Sequence, residues 1–145
     1  YRAYEAEVNE AAERVNAKLG TDGWQPVVVI NEDDYPRAVA ALTRYDVLLV
    51  NPIVDGMNLV SKEGPAVNSH DGVLVLSRNA GSWFELGAAA LSVNPYDVAE
   101  TADALFQALT MDPAERQGRA ELLRRIVEAN SSWKWLSHQL DDITG

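Results

Sequence analysis

Two short runs, Val47-Leu48-Leu49-Val50 and Val73-Leu74-Val75-Leu76, have no polar side chain. Side chains alternate across a strand, so an unbroken apolar run is greasy on both faces and needs cover on both. Pro26-Val27-Val28-Val29-Ile30 reads the same way, and Ala90-Leu91-Ser92-Val93, apolar but for its serine, completes a prediction of four strands. Between them lie segments with helical character. The arrangement that covers a two-sided sheet with intervening helices is the α/β, doubly wound parallel sheet, Rossmann-like in style.

The helical segments announce themselves by spacing and punctuation. Tyr4, Val8, Ala11, Val15 and Leu19 recur at helical period, with Gly20 as a stop and Thr21-Asp22-Gly23 as a turn. Pro36 can open a helix at no hydrogen-bond cost, with Ala38, Ala41 and Leu42 as its small buried face. Residues 57–67 and a short segment around Trp83 and Leu86 are the next two. The final third is a helical C-terminal tail. Asp97 and Glu100 form a capping-box pattern before a face of Ala102, Leu105, Phe106 and Leu109. Asp112-Pro113 starts a helix with Leu122, Leu123, Ile126 and Val127 apolar, and a last amphipathic segment carries Trp133, Leu136 and Leu140. Trp133 and Trp135 predict an aromatic packing cluster. His70, in a polar turn, and His138, on the last helix, are expected at the surface.

Among 145 residues, 12 are Lys or Arg and 22 are Asp or Glu, for a net charge of −10. Such a surface repels phosphate backbones and anionic lipid, so neither nucleic acid nor membrane is an expected partner. No apolar stretch reaches the roughly 20 residues that span a bilayer. The absence of cysteine removes disulfides, thiol nucleophiles and zinc–cysteine sites, and suits a reducing, cytoplasmic setting. Residues 1–145 read as one partial domain of a larger enzyme, and Tyr1 as the start of a fragment. Oligomeric state is left open, a homo-oligomer included.

The chemistry concentrates in Asn51-Pro52-Ile53-Val54-Asp55-Gly56-Met57-Asn58-Leu59-Val60-Ser61-Lys62-Glu63. This segment leaves the carboxyl end of a predicted parallel strand, where open α/β sheets bind ligands. Gly56 permits a tight turn, and the amides of Met57, Asn58, Leu59 and Val60 become the free N–H groups of a helix start. Free helical N–H groups with the macrodipole behind them suit a diphosphate. Glu63 lies four residues from both Leu59 and Val67, so a carboxylate interrupts an apolar stripe and needs donors such as vicinal hydroxyls. A Gly-containing turn with flanking acids is common, however, and Glu63 facing solvent is the bland alternative.

Asp55-Gly56-Met57-Asn58-Leu59-Val60-Ser61-Lys62-Glu63 resembles the donor-binding segment of the trehalose-phosphate synthase family, retaining glycosyltransferases of the GT-B fold. The resemblance continues through Gly72-Val73-Leu74-Val75-Leu76-Ser77, Ala80-Gly81, Glu85-Leu86, Val93-Asn94-Pro95-Tyr96-Asp97 and Ala108-Leu109-Thr110-Met111. It implies the C-terminal, nucleotide-sugar-binding half of such an enzyme. The intact protein would move glucose from a nucleoside-diphosphate glucose, UDP-glucose among the candidates, to glucose-6-phosphate with retention, giving trehalose-6-phosphate.

By that resemblance Asp55 is the catalytic-site residue that contacts the transferred glucose. Gly56, Met57, Asn58 and Leu59 hold sugar and diphosphate, Val60 lies near the nucleoside, and Glu63 binds ribose hydroxyls. No metal or other cofactor is implied. The glucose-6-phosphate site belongs to a missing N-terminal domain, and the Arg and Lys that neutralise the diphosphate lie upstream of Tyr1, so this fragment alone is expected to be inactive. Pro65 departs from the family pattern and is expected to kink or shorten the helix. A backbone contact to the nucleobase falls at residues 31–35, where the side chains match poorly. Ser77 and Glu85 could hold a loop near the donor, and a purely structural role is the favoured reading for both. The alternatives are a related synthase using another acceptor, of the glucosylglycerol-phosphate or pseudo-glycosyltransferase type, and a non-catalytic α/β binding module.

Overall fold

The computed structural model describes residues 2–144, and Tyr1, read above as the start of a fragment, lies outside them. The chain divides into two compact units, Tyr1–Asp34 and Tyr35–Gly145.

In the first unit, α1 (Arg2–Leu19) forms where its period predicts it, and Gly20 ends it by donating its N–H to the Asn16 carbonyl at 2.8 Å. Thr21 and Trp24 exchange two backbone bonds around Gly23, whose φ of +86° favours glycine. The strand predicted for residues 26–30 does not form. That segment belongs to no ladder, and Val28 is 69% exposed. Apolarity permits a strand only where a neighbouring strand offers a ladder. Here the Asn16 side chain substitutes for one, accepting the Val27 N–H at 2.9 Å and donating to its carbonyl at 2.8 Å. The predicted α1 stripe is likewise open to solvent, and the buried residue is Ala12 rather than Ala11.

The second unit begins with α2 (Tyr35–Leu42), where only Val39 and Leu42 are half-buried and Ala38 and Ala41 stay exposed. It then alternates: β1 (Val47–Val50), α3 (Val60–Val67), β2 (Val73–Ser77), α4 (Trp83–Leu86) and β3 (Leu91–Val93). The sheet is fully parallel in the order β1-β2-β3, with Val50 opposite Leu76 and Leu76 opposite Ser92. It therefore has three strands where four were predicted. Three helices follow: α5 (Val98–Leu109), α6 (Pro113–Ala129) and α7 (Ser132–Thr144).

β2 is buried along its whole length and divides its side chains between two cores. Leu74 and Leu76 pack with Val50, Leu86 and Leu123 of α6 on one face; Val73 and Val75 pack with Leu91, Val93, Ala104 and Ala108 of α5 on the other. Both faces are covered, which is the doubly wound α/β architecture expected. The predicted face of α5 is the wrong one. Ala104 and Ala108 turn inward with Leu105 half-buried, while Phe106 is 70% exposed and Leu109 and Ala102 are exposed too. A helix lies closest to a sheet on its small residues, so size overrode hydrophobicity here. On α6, Leu123 is buried as predicted, with Ile126 and Val127 half-buried, while Leu122 faces out. Trp133 and Trp135 do not pack as a cluster; both are largely exposed, as are Leu136 and Leu140.

The amino edge of the sheet is tied down by arginines of α6. Arg116 pairs with Asp46 and donates to the His70 carbonyl, Arg119 donates to the Ala89 carbonyl, and Arg124 pairs with Asp71. Asp46 lies just ahead of β1, His70 and Asp71 ahead of β2, and Ala89 ahead of β3, so all three strands are held. Tyr45 wedges beside Gly72, where a Cβ would come within 2.1 Å of its ring. Burial pushes the Tyr45 phenol up to about 12. With the amino edge clamped, the carboxyl edge is left to carry loops.

At that edge Asp97 caps α5 by accepting the Glu100 N–H at 2.9 Å. The reciprocal half of the predicted box is absent. Glu100 instead takes a two-pronged bond from Arg78, at 2.9 and 3.0 Å, and the Asn94 N–H at 2.6 Å. The Arg78 bond foremost, then the Asn94 amide, hold the Glu100 carboxyl below its ordinary range. Its folded pKa thus lies below the unfolded one, so the stability it contributes is full above about pH 4.3 and drains as pH falls through the folded value. Chemical denaturation of the Glu100→Gln variant should show a shallower loss of stability between about pH 5 and 3 than the parent shows. Parallel acid limbs would contradict this.

Candidate donor-binding site

The loop after β1 lies against the loop after β2, strand-like, with Asp55 bridging Ala80. Gly81 donates to the Asp55 carbonyl at 2.8 Å, Ser82 to the Met57 carbonyl at 2.9 Å, and Asp55 to the Asn79 carbonyl at 3.3 Å. Side chains reinforce the pairing. The Ser77 hydroxyl donates to the Pro52 carbonyl at 2.8 Å, and the Asn79 amide to that of Ile53 at 2.8 Å. Ser77 thus ties the loop after β1 to the end of β2.

Within that cradle Asp55 organises the segment. Its carboxylate accepts the Met57 N–H and the Asn58 side-chain amide, both at 3.0 Å. These bonds, the Met57 one first, hold it below the usual carboxylate range. It is consequently an ionised acceptor at neutral pH. Asn58 sits in the left-handed region at φ +68°, which asparagine tolerates better than most residues. Its Oδ1 caps α3 by accepting the Ser61 N–H at 2.9 Å. Ser61 and Ser82, both fully buried, join hydroxyls at 2.7 Å, and Ser61 also donates to the Asn58 carbonyl.

Three expectations change. The helix begins at Val60 and not at Met57, because the Asp55–Asn58 bonding and the left-handed turn occupy the preceding residues. The Met57 N–H is consequently capped by Asp55 and is not a free anion donor. The N–H groups of Gly56, Leu59 and Val60 have no protein acceptor among the described residues. Gly56 is also not needed for the turn: its φ is ordinary, and a Cβ there would meet nothing within 4 Å. The sterically obligatory glycine is Gly81, where a Cβ would fall 2.0 Å from the Gly56 carbonyl oxygen.

Glu63 stands one turn into α3 on its exposed side, with Leu59, Val60 and Val67 exposed around it. The stripe it interrupts faces solvent. The inward side of α3 is made of Ser61, Gly64 and Pro65, and the helix runs through Pro65 to Val67. Lys62 forms an ion pair with Glu85 of α4 at 2.7 Å, on the wall of a cavity of about 590 Å³. Met57 and Leu59 form one side of it, and Ser132, Lys134, Trp135 and His138 of α7 another. Sequence reasoning gave Ser61 no role beyond a small residue and missed the Lys62–Glu85 pair, whose members stand 23 residues apart with no local signal. No group of three or more His, Asp or Glu side chains converges among the described residues, and no helix there is long and apolar enough to cross a membrane.

A doubly wound α/β unit whose carboxyl edge presents a carboxylate-organised loop, unoccupied amides and a helix start has the arrangement that nucleotide-binding α/β domains use. The comparisons with known proteins make this specific. The chain belongs to glycosyltransferase family 20, whose profile matches residues 1–145. It is 40% identical to the trehalose-6-phosphate synthase of Klebsiella pneumoniae subsp. pneumoniae over 99% of this chain and 31% of that protein. It is 43% identical to that of Sinorhizobium fredii over 99% and 32%. Among solved structures, an E. coli protein bound with UDP-2-fluoro glucose superposes with a TM-score of 0.91 at 39% identity, covering 98% of this chain and 32% of the other. A Burkholderia xenovorans α,α-trehalose-phosphate synthase (UDP-forming), in complex with glucose-6-phosphate, gives 0.91 at 33% identity over 100% and 32%. The chain thus spans about a third of the length of the curated relatives it matches.

Proposed function

We propose that residues 1–145 form the donor-binding part of a retaining glucosyltransferase. In the intact protein, glucose would pass from a nucleoside-diphosphate glucose to glucose-6-phosphate, giving trehalose-6-phosphate. The observation that carries this reading is the Asp55–Glu63 segment. It offers an ionised acceptor, three unoccupied N–H groups and a glycine with open space where a side chain would stand. That space suits close approach by a ligand to the backbone. The relative bound with UDP-2-fluoro glucose supports the donor class.

In this reading the remaining lone pairs of Asp55 accept hydroxyls of the transferred glucose, with Asn58 fixing the carboxylate. The N–H groups of Gly56, Leu59 and Val60, with the α3 dipole behind them, face the diphosphate, and negative charge that grows on the leaving group is stabilised there without a metal. Glu63 takes the ribose hydroxyls, which replace water as donors to its exposed carboxylate. The acceptor subsite and the cations that complete diphosphate neutralisation are assigned to the rest of the intact protein, so this portion by itself is expected to bind a donor but not turn it over. A chain without cysteine suits the cytoplasm.

Calorimetric titration of the full-length protein with UDP-, GDP- and ADP-glucose tests the reading and selects the base. Glu63→Ala should weaken donor binding by about 1–3 kcal/mol, the usual cost of losing a charged hydrogen-bonding partner. Unchanged affinity would remove Glu63 from the site, and no binding of any of the three donors would leave the non-catalytic module as the better account.

A further inference from the structure

Ser82 and Glu85 stand three apart at the start of the short α4 helix and grip consecutive residues of α3. The Ser82 hydroxyl joins that of Ser61, and Glu85 Oε1 lies 2.7 Å from Lys62 Nζ. The Ser82 N–H holds the Met57 carbonyl in addition. The first turn of α3 is thus fastened from one side by α4, while its opposite face, with Leu59, Val60 and Glu63, stays open. A turn attached at two successive residues cannot roll about its axis, and rolling is the motion that would misdirect the Leu59 and Val60 N–H groups.

We infer that Glu85, acting through Lys62, is a positioning residue for the donor: the ion pair fixes the direction in which the α3 amides point. Lys62 is committed to this pair and contributes no charge to the diphosphate. The inference rests on the donor-binding reading above. It assigns to the Lys62–Glu85 pair an effect on donor affinity that a merely structural surface pair would not have. The pair is partly exposed, with the two side chains at 21% and 36%, so a moderate effect is expected.

The test is a charge-swap cycle in the full-length protein, read by UDP-glucose titration alongside thermal unfolding. Binding by the unmodified protein comes first, since its absence would defeat the donor reading itself and not this one. Glu85→Gln and Lys62→Gln should each raise the UDP-glucose Kd about fivefold, as expected for a partly exposed pair. The double variant Lys62→Glu/Glu85→Lys should recover most of the loss, since reversing the pair keeps the attachment. Two results would overturn the inference. One is unchanged Kd in both single variants. The other is a Lys62 effect far larger than that of Glu85 with no recovery in the swap, which would make Lys62 a direct ligand of the diphosphate.

Discussion

Gly81→Ala is expected to abolish donor binding and to cost about 3 kcal/mol of stability, near the upper end for forced overpacking. The added methyl would sit 2.0 Å from the Gly56 carbonyl oxygen, 2.7 Å from its carbonyl carbon and 3.2 Å from the Met57 nitrogen. All three are backbone atoms, so no rotamer change relieves the clash. The two loops must part, and the bonds from Gly81 to Asp55 and from Ser82 to Met57 go with them. Each of those bonds adds about 1 kcal/mol. Gly56→Ala is the matched control. Its methyl meets nothing within 4 Å, so stability should hold within about 0.5 kcal/mol. Donor affinity should nevertheless fall, because the methyl occupies the space assigned to the ligand. Urea denaturation and UDP-glucose titration of both variants decide the matter. A stable, donor-binding Gly81→Ala protein would mean that the two loops are not held together as described.

The second large effect is expected in the core. Leu76→Ala should destabilise by about 2–5 kcal/mol, the range for deleting a fully buried leucine side chain. Leu76 is 0% exposed and packs with Val50, Leu74, Leu86 and Leu123 between the sheet and α6. The rigidity of this packing limits how far the cavity can collapse. Its neighbour Ser77 holds the Pro52 carbonyl, so loosening the end of β2 should also weaken donor binding. Leu49→Ala, in an equally apolar tetrapeptide, should cost under about 1 kcal/mol, since Leu49 is 40% exposed and leaves no closed cavity. Equal midpoints in urea, at unchanged m-value, would refute the ranking.

The contrast between these two leucines measures how far the fold was legible. Val47-Leu48-Leu49-Val50 and Val73-Leu74-Val75-Leu76 look alike as sequence, and both became strands. Only β2 lies between two others and is buried throughout, while β1 is at one margin of the sheet. The same limit explains residues 26–30. Their side chains satisfy every local requirement of a strand, but pairing is a property of the neighbour, and Asn16 took the Val27 backbone bonds instead. On α5 the period was read correctly and the face was not, because the two alanines, not Phe106, allow the close approach to the sheet.

The site divides along the same line. The position of the Asp55–Glu63 segment at the carboxyl edge was legible, since it follows from an apolar run succeeded by a glycine-containing turn and a helix. Which amides remain open was not. Asp55 caps Met57, Asn58 turns left-handed to cap Ser61, and both depend on side-chain conformations adopted only once the β2–α4 loop lies alongside. The Lys62–Glu85 and Ser61–Ser82 contacts join residues 23 and 21 apart and leave no periodic trace.

By itself, the order of residues determined the alternation of apolar strands and helices, the helix starts at Pro36, Asp97 and Asp112, and the place of the ligand loop. These are local properties, set by side-chain period and by backbone groups that need partners within a few residues. The tertiary structure alone decided that three runs and not four share the sheet, that Gly81 and not Gly56 is the glycine the pairing of these two loops demands, and which N–H groups stay open. Those outcomes turn on contacts between distant segments, whose free energy exists only once the chain has brought them together.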